Sequence, residues 1–441
     1  MTDVSTPQRN WARNVTYRAA RLHRPATTDE LRRTVAENPR IRALGSGHSF
    51  SLVADTTADL VRLDLLPAGV ELDTAGRTVR VSAGTTYARL ATELHRAGFA
   101  LANLASLPHI SVAGSCATAT HGSGATLGCL ASAVRAVELV GPDGDLLALS
   151  RDSHPDTFPG TVAALGALGV VAGLTLDVEP TYEVSQRMLV DVPLDAVQES
   201  PDDVFATGYS VSVFTKWHGG RANVLVKRRP DRPAGPWSWG RQATVPVHPV
   251  PEQSAENCTA QLDQPGPWHE RLPHFRPEYV PGSGRELQSE YFVPRHRAAE
   301  AIAAVRQISD RLAPVLQISE LRVVREDDLW LSPAYRRDSL TLHFTWADDL
   351  AAVLPAIEAV EEQLRHLEPR PHWGKLTRIP PREIAAGYPR ATDFDKLRNT
   401  VDPHGKFRND FVDALFPATS RPDPTLSAPG GHSSCISPEF L

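Results

Sequence analysis

The chain has 441 residues, 22% of them charged and 41% apolar, with a formal net charge of −6. That length holds two domains with sizeable cores, and the composition is that of an ordinary soluble globular protein. The mildly acidic balance gives nucleic acid and anionic membranes no footing, so neither is expected as a partner.

No stretch approaches the ~18–20 apolar residues of a membrane helix, and residues 1–7 hold no apolar run of signal-peptide length. The expectation is a cytoplasmic protein. Cys116, Cys129, Cys258 and Cys435 are too few and too scattered for a disulfide framework. Cys116, His121 and Cys129 are separated by four and seven residues. That spacing matches no common zinc pattern, so no metal is expected.

In chain order, residues 29–38 predict a helix with Asp29 and Glu30 in its first turn. Residues 40–44 alternate as a short strand and run into Gly45-Ser46-Gly47-His48-Ser49-Phe50. Two glycines around a serine permit a tight loop whose amides suit an anionic group. Phe50 stands where the dinucleotide fingerprint G-x-G-x-x-G needs its third glycine, so this is not the Rossmann solution. Residues 60–65 and 78–81 read as strands, and a helix follows with Leu90, Leu94 and Ala97 on one stripe, ending at Gly98. From Ser111 to Gly124 nearly every side chain is Ala, Gly, Ser or Thr, which suits a loop where backbone approaches an extended ligand. A hairpin is predicted over 135–140 and 146–150, a helix over 161–168 and a buried strand over 169–178.

The texture changes near residue 183. Residues 230–281 hold eleven prolines and few periodic runs, which predicts a long ordered excursion. Three strand-like runs then share one habit. Residues 286–293 put Gln288 and Glu290 on one face; 316–324 put Glu320 and Arg322 together; 339–346 align Thr341, His343 and Thr345. Each is an i, i+2 polar set backed by apolar neighbours. A sheet with one wet face would show this period too, but these sets hold no lysine and suit a ligand bearing many hydroxyls. Residues 348–367 predict a long helix, and 418–441 are expected to be a disordered tail.

The glycine loop with His48, residues 107–124 and residues 165–176 resemble the FAD-binding domain of the vanillyl-alcohol oxidase superfamily. Within it, residues 105–115, 267–275, 331–335 and 371–375 resemble bacterial alditol oxidases, a similarity running from about Trp11 to Val412. The resemblance implies an α+β, two-domain fold: an FAD-binding domain over 1–182, a substrate domain with a large antiparallel sheet over 183–370, and a segment over 371–417 returning to the first domain. It implies FAD bonded covalently through His48, with residues 111–117 wrapping the pyrophosphate. The implied cofactor set is Ala43, Leu44, Gly45, Ser46, Gly47, His48, Ser49, Ser106, Ser111, Gly114, Ser115, Cys116, Ala117, Val170 and His372.

The implied substrate residues are Ser106, Glu320, Arg322 and Thr345, and Gln288 joins them from its place in the polar sets. His343 is the expected proton acceptor, because imidazole has the unperturbed pKa nearest working pH. Lys375 and Arg322 are the expected cations on the reacting oxygen. The expected reaction oxidises the terminal hydroxyl of an acyclic polyol with dioxygen as acceptor, by a monomer. An aldonolactone oxidase or dehydrogenase on the same scaffold is the alternative.

Overall fold

A computed structural model describes residues 8–278 and 285–417. The expected tail over 418–441, Cys435 included, lies outside the described residues, as does the far end of the 230–281 stretch. Among the described residues no helix is long and apolar enough to cross a membrane.

The chain opens on a small parallel sheet in which Asp59–Arg62 lies between Arg21–His23 and Ile41–Leu44. Helix Thr28–Glu37 is capped by Thr27, whose side chain accepts from the Glu30 amide, while Leu31 and Val35 fill the core. A five-stranded antiparallel sheet follows, in the order Val70–Asp73, Thr78–Ser82, Val170–Asp177, Val134–Val140, Leu146–Ser150. Helix Tyr87–Arg96 buries Tyr87, Leu90, Ala91 and Leu94 and is capped by Thr86.

Two expectations fail here. The small-residue stretch is not all loop: Val112–Ala117 is a short helix. Small side chains are needed there because Gly45 and Gly114 crowd the same atom; a Cβ on either would lie 2.7 Å from Ser111 Oγ. Residues 161–168 form no helix, because Leu165 (φ 55°) and Gly166 (φ 68°) sit in the left-handed region. The apolar character that suggested a helix is that of a buried irregular segment. Its carbonyls at Leu165 and Gly166 accept from the buried Arg42 guanidinium at 2.7 and 2.9 Å.

A nine-stranded antiparallel sheet carries the second domain. Its centre reads Ser210–Thr215, Leu316–Val324, Ser339–Trp346, Leu287–Pro294, Arg370–Pro371. Leu321, Leu342, Phe344, Trp346, Tyr291 and Val293 on one face are buried in the main core. Helix Leu350–Leu364 packs on that face, and its Glu361 accepts from the Tyr291 hydroxyl at 2.8 Å. The expected 348–367 helix is thus shorter, and its acidic start is a cap: Asp349 accepts from the Ala352 amide at 3.1 Å. The proline-rich stretch is largely irregular, adding only the short strands Arg241–Gln242 and Gly266–Pro267 to the sheet's margin.

The chain finally returns to its beginning. Ile41 N donates to Lys406 O at 3.0 Å, and Asn409 Nδ2 donates to the Val53 and Asp55 carbonyls at 3.1 and 2.7 Å. Arg42 completes the link by donating to Phe407 O at 2.7 Å.

Candidate active site

One cavity of about 1000 Å³ lies between the glycine loop and the polar face of the large sheet. That volume is at the upper end for small-molecule sites, as a dinucleotide-sized cofactor with a substrate beside it requires. The cradle forms where strand Ile41–Leu44 ends. Gly47 takes φ 70°, the Ser111 amide donates to Ser46 Oγ at 3.2 Å, and Ser111 Oγ is buried without a partner between the two glycines. An unpaired buried hydroxyl beside glycine backbone fits a pyrophosphate oxygen. His48 stacks on Trp11 with centroids 5.5 Å apart, and its Nδ1 is buried with no hydrogen-bond partner. Burial, the largest cause, pushes the imidazole down to about 4, so the ring is neutral and its nitrogen lone pair is available.

The opposite wall follows from strand register. Glu320 on Leu316–Val324 pairs with His343 on Ser339–Trp346, which pairs with Glu290 on Leu287–Pro294. The next row sets Ile318 against Thr345 and Thr345 against Gln288, after a bulge between Leu316 and Ile318. Three i, i+2 sets on adjacent strands thereby become a lattice with a carboxylate–imidazole–carboxylate line at its centre. Arg322 donates to Glu290 Oε1 at 2.6 Å and lies 3.7 Å from Glu320 Oε1. Burial would raise both carboxyls, but Arg322 with His121 outweighs it at Glu290, and Arg322 with His274 does so at Glu320. Both are held below the usual carboxylate range.

Segment 371–376 runs beside the Leu287 strand and delivers Lys375. His372 N donates to Glu290 O and Leu376 N to Gln288 O, both at 2.9 Å. The same segment meets the residues just after His48: Phe50 N donates to Gly374 O at 2.7 Å, and Ser51 Oγ to Trp373 O at 2.6 Å. The Lys375 ammonium donates to Gln288 Oε1 and lies 4.9 Å from the Phe50 ring centroid. Burial pushes Lys375 down to about 8, against the pull of Glu290.

Proton inventory then fixes the tautomer of His343. Gln288 Nε2 donates to Glu286 at 2.5 Å, so its Oε1 faces Lys375 and His343 Nε2, the latter at 3.2 Å. An oxygen acceptor there requires the proton on Nε2. Nδ1 therefore carries the lone pair, and it is buried without a partner. Burial pushes this imidazole down to about 3, with Glu290 and Glu320 pulling upward, so it is neutral across working pH.

The cavity brings together Ser106, Gln288, Glu320, Arg322, His343, Thr345 and Lys375 with Ala43–Ser49, Ser111, Gly114, Ser115, Ala117 and His372. Two expected cofactor residues do not line it. Cys116 turns into the core, its Sγ 3.7 Å from the Tyr87 hydroxyl, and Val170 packs into the cluster around Leu31 and Ile41. Their neighbours, Ser115 and Ala117, and Gly169 and Val171, face the cavity instead.

Cys116, His121 and Cys129 do not converge: Cys129 Sγ lies 3.2 Å from Asp327 Oδ2, and His121 Nε2 lies 3.1 Å from Glu290 Oε1. His121, Glu290 and His372 do approach one another, with donor atoms within 4.8 Å. His372 Nδ1 accepts from the Gly374 amide at 3.0 Å, which leaves a proton on its Nε2, and Glu290 is engaged by Arg322. The trio is built as a hydrogen-bond network rather than a cation cage. Sequence reasoning missed His121, His274 and the central place of Glu290. Only Glu290 had a signal, its position two residues from Gln288 on the same face.

Comparisons with known proteins agree with this geometry. A family model described as an FAD binding domain matches residues 19–150, and one described as D-arabinono-1,4-lactone oxidase matches residues 284–415. A cholesterol oxidase of Brevibacterium sterolicum superposes with a TM-score of 0.72, covering 93% of this chain and 96% of that one. At 15% identity that likeness shows the fold alone. Fold and cradle together define an FAD-binding flavoprotein of the vanillyl-alcohol-oxidase type.

An alditol oxidase of Streptomyces is 51% identical over 94% of this chain and 100% of its own length. An L-gulonolactone oxidase of Scyliorhinus torazame is 25% identical over 92% of this chain and 97% of its own. The chain belongs to the alditol oxidase family.

Proposed function

We propose that this protein is an FAD-dependent oxidase that converts the terminal primary hydroxyl of acyclic polyols such as xylitol and sorbitol to the aldose, reducing dioxygen to hydrogen peroxide. Bound FAD would supply the two-electron acceptor for oxidation at the carbinol carbon, with dioxygen as the terminal acceptor. Ser46, Gly47, Ser111 and the glycine backbones around them would hold its pyrophosphate, and His48, with its unpaired Nδ1, would hold it covalently.

The observation that carries the reading is the line Glu320–His343–Glu290, with a bare lone pair at its centre. His343 Nδ1 accepts the hydroxyl proton, and the Glu290 carboxylate on the adjacent strand holds the resulting imidazolium. Lys375 places an ammonium beside the reacting oxygen and lowers the pKa of that hydroxyl. Ser106, Gln288, Glu320, Arg322 and Thr345 supply donors and acceptors along an extended chain of hydroxyls. The reading is completed by a cytoplasmic monomer acting on a diffusible polyol, with a domain division near residue 182 and residues 371–417 returning to the first domain.

The match of the arabinonolactone oxidase model to residues 284–415 favours a sugar lactone as second reading. A ring offers fewer hydroxyls than these side chains can bind. Hydrogen peroxide release measured side by side with xylitol, sorbitol and a sugar-1,4-lactone tests the choice. Peroxide from both polyols in excess of that from the lactone is expected; peroxide from the lactone alone would overturn the proposal.

A further inference from the structure

Lys227 is fully buried on strand Arg221–Arg228, and no carboxylate among the described residues is in direct contact with it. Its Nζ donates to three successive carbonyls, Arg271 at 2.8 Å, Leu272, and Pro273 at 3.2 Å, and lies 3.3 Å from His274 Nδ1. Burial pushes this lysine down to about 7, with Glu320 opposing. These partners nonetheless need three hydrogens, which only the ammonium carries: one each for Arg271 and Leu272, and a third shared between Pro273 O and His274 Nδ1.

The backbone of His274 is held on both sides. Its amide donates to the Ser106 carbonyl at 3.2 Å, and its own carbonyl accepts from Thr259 N at 3.0 Å. The imidazole so delivered lines the cavity, with Nε2 2.9 Å from Glu320 Oε1. An ammonium offers only hydrogens and an ionised carboxylate only lone pairs. His274 Nδ1, beside the ammonium, must therefore carry the lone pair, and Nε2–H must donate to Glu320. Glu320 Oε1 is thereby occupied, and no described residue donates to Oε2.

The geometry points to His274 as a positioning residue of the polyol-binding subsite. Backed by Lys227, it fixes Glu320 so that the carboxylate's second oxygen accepts from a substrate hydroxyl. This rests on the polyol reading above. It explains why a proline-rich excursion with little regular structure is ordered at 271–274: the excursion carries a side chain that the sheet itself cannot supply. The role is one of binding, so its loss should weaken substrate capture without slowing the reaction of captured substrate.

The test is anaerobic flavin reduction by xylitol in the holoenzyme, read as a half-saturating concentration and a limiting rate. H274L should raise the half-saturating concentration about tenfold or more and leave the limiting rate within about threefold. H274Q, whose amide can accept from Lys227 and donate to Glu320, should stay near wild type in both. H274N, polar but too short to reach Glu320, should behave as H274L and carries the test if the leucine variant does not fold. In an E320Q background H274L should add less than about twofold, because the two residues act through one contact.

An unchanged half-saturating concentration in H274L or H274N, while wild type is reduced by xylitol, overturns the role of His274 alone. A full further loss in the E320Q background does the same. A wild type reduced by a lactone and not by xylitol overturns the polyol reading and this one with it.

Discussion

His343 and Lys375 stand at the centre of the site, and their surroundings set opposite pH limits. His343→Ala removes the lone pair at Nδ1, so the rate of flavin reduction by xylitol should fall about 10²–10⁴-fold, the usual scale for a positioned base. With the imidazole pushed down to about 3, the acid limb of kcat/KM should lie well below the pH 6–7 that an unperturbed histidine would give. Lys375 acts as the ammonium, present below its pKa of about 8. Rising pH removes that charge, so kcat/KM should decline through about pH 8. In Lys375→Arg the decline should move beyond about pH 10, whatever the loss in plateau, because a guanidinium keeps its charge. Pre-steady-state rates across pH check both limits. Glu320→Gln, away from the transferred proton, should raise KM with only a modest fall in kcat.

At the scale of elements, the site depends on how a few segments are cross-linked. Arg42 is buried on the strand that enters the glycine loop and donates to carbonyls of Val53, Leu165, Gly166 and Phe407, between 2.5 and 2.9 Å. Arg42→Met would leave the Leu165, Gly166 and Phe407 carbonyls unpaired, Val53 keeping Asn409, a loss of roughly 3–4.5 kcal/mol at about 1–1.5 each. Denaturant unfolding should show that loss. Much of this architecture was legible in the sequence. The strands Leu316–Val324 and Ser339–Trp346 match their alternation to the residue, because one face meets helices and the other a cavity, and period two survives in both settings. Less local features were not legible. The 161–168 segment has helical hydrophobicity, but its left-handed Leu165 and Gly166 answer to Arg42, more than a hundred residues away. His274 sits in an irregular stretch, where no period tells which way a side chain points. Val170, which the resemblance places in the cofactor set, stands on the core side of its strand, and the flanking Gly169 and Val171 face the cavity because successive residues alternate faces.

Over the whole molecule, two sheets from different parts of the chain close on one cavity, with residues 371–376 joining them. That arrangement places the unpaired Nδ1 of His48 on the cavity wall across from the polar lattice. Covalent attachment predicts that acid-precipitated, washed protein stays yellow and that His48→Ala releases its flavin to the supernatant. A colourless wild-type pellet would contradict it. The central claim, that the lattice on the opposite wall is shaped for an open chain of hydroxyls, is tested most directly by anaerobic reduction of the bound flavin in a stopped-flow instrument. Xylitol and L-gulono-1,4-lactone should be compared under identical conditions, so that reactivity with oxygen plays no part. Xylitol should bleach the flavin with the higher kcat/KM; a lactone value exceeding that of xylitol by about tenfold or more would contradict an open-chain site.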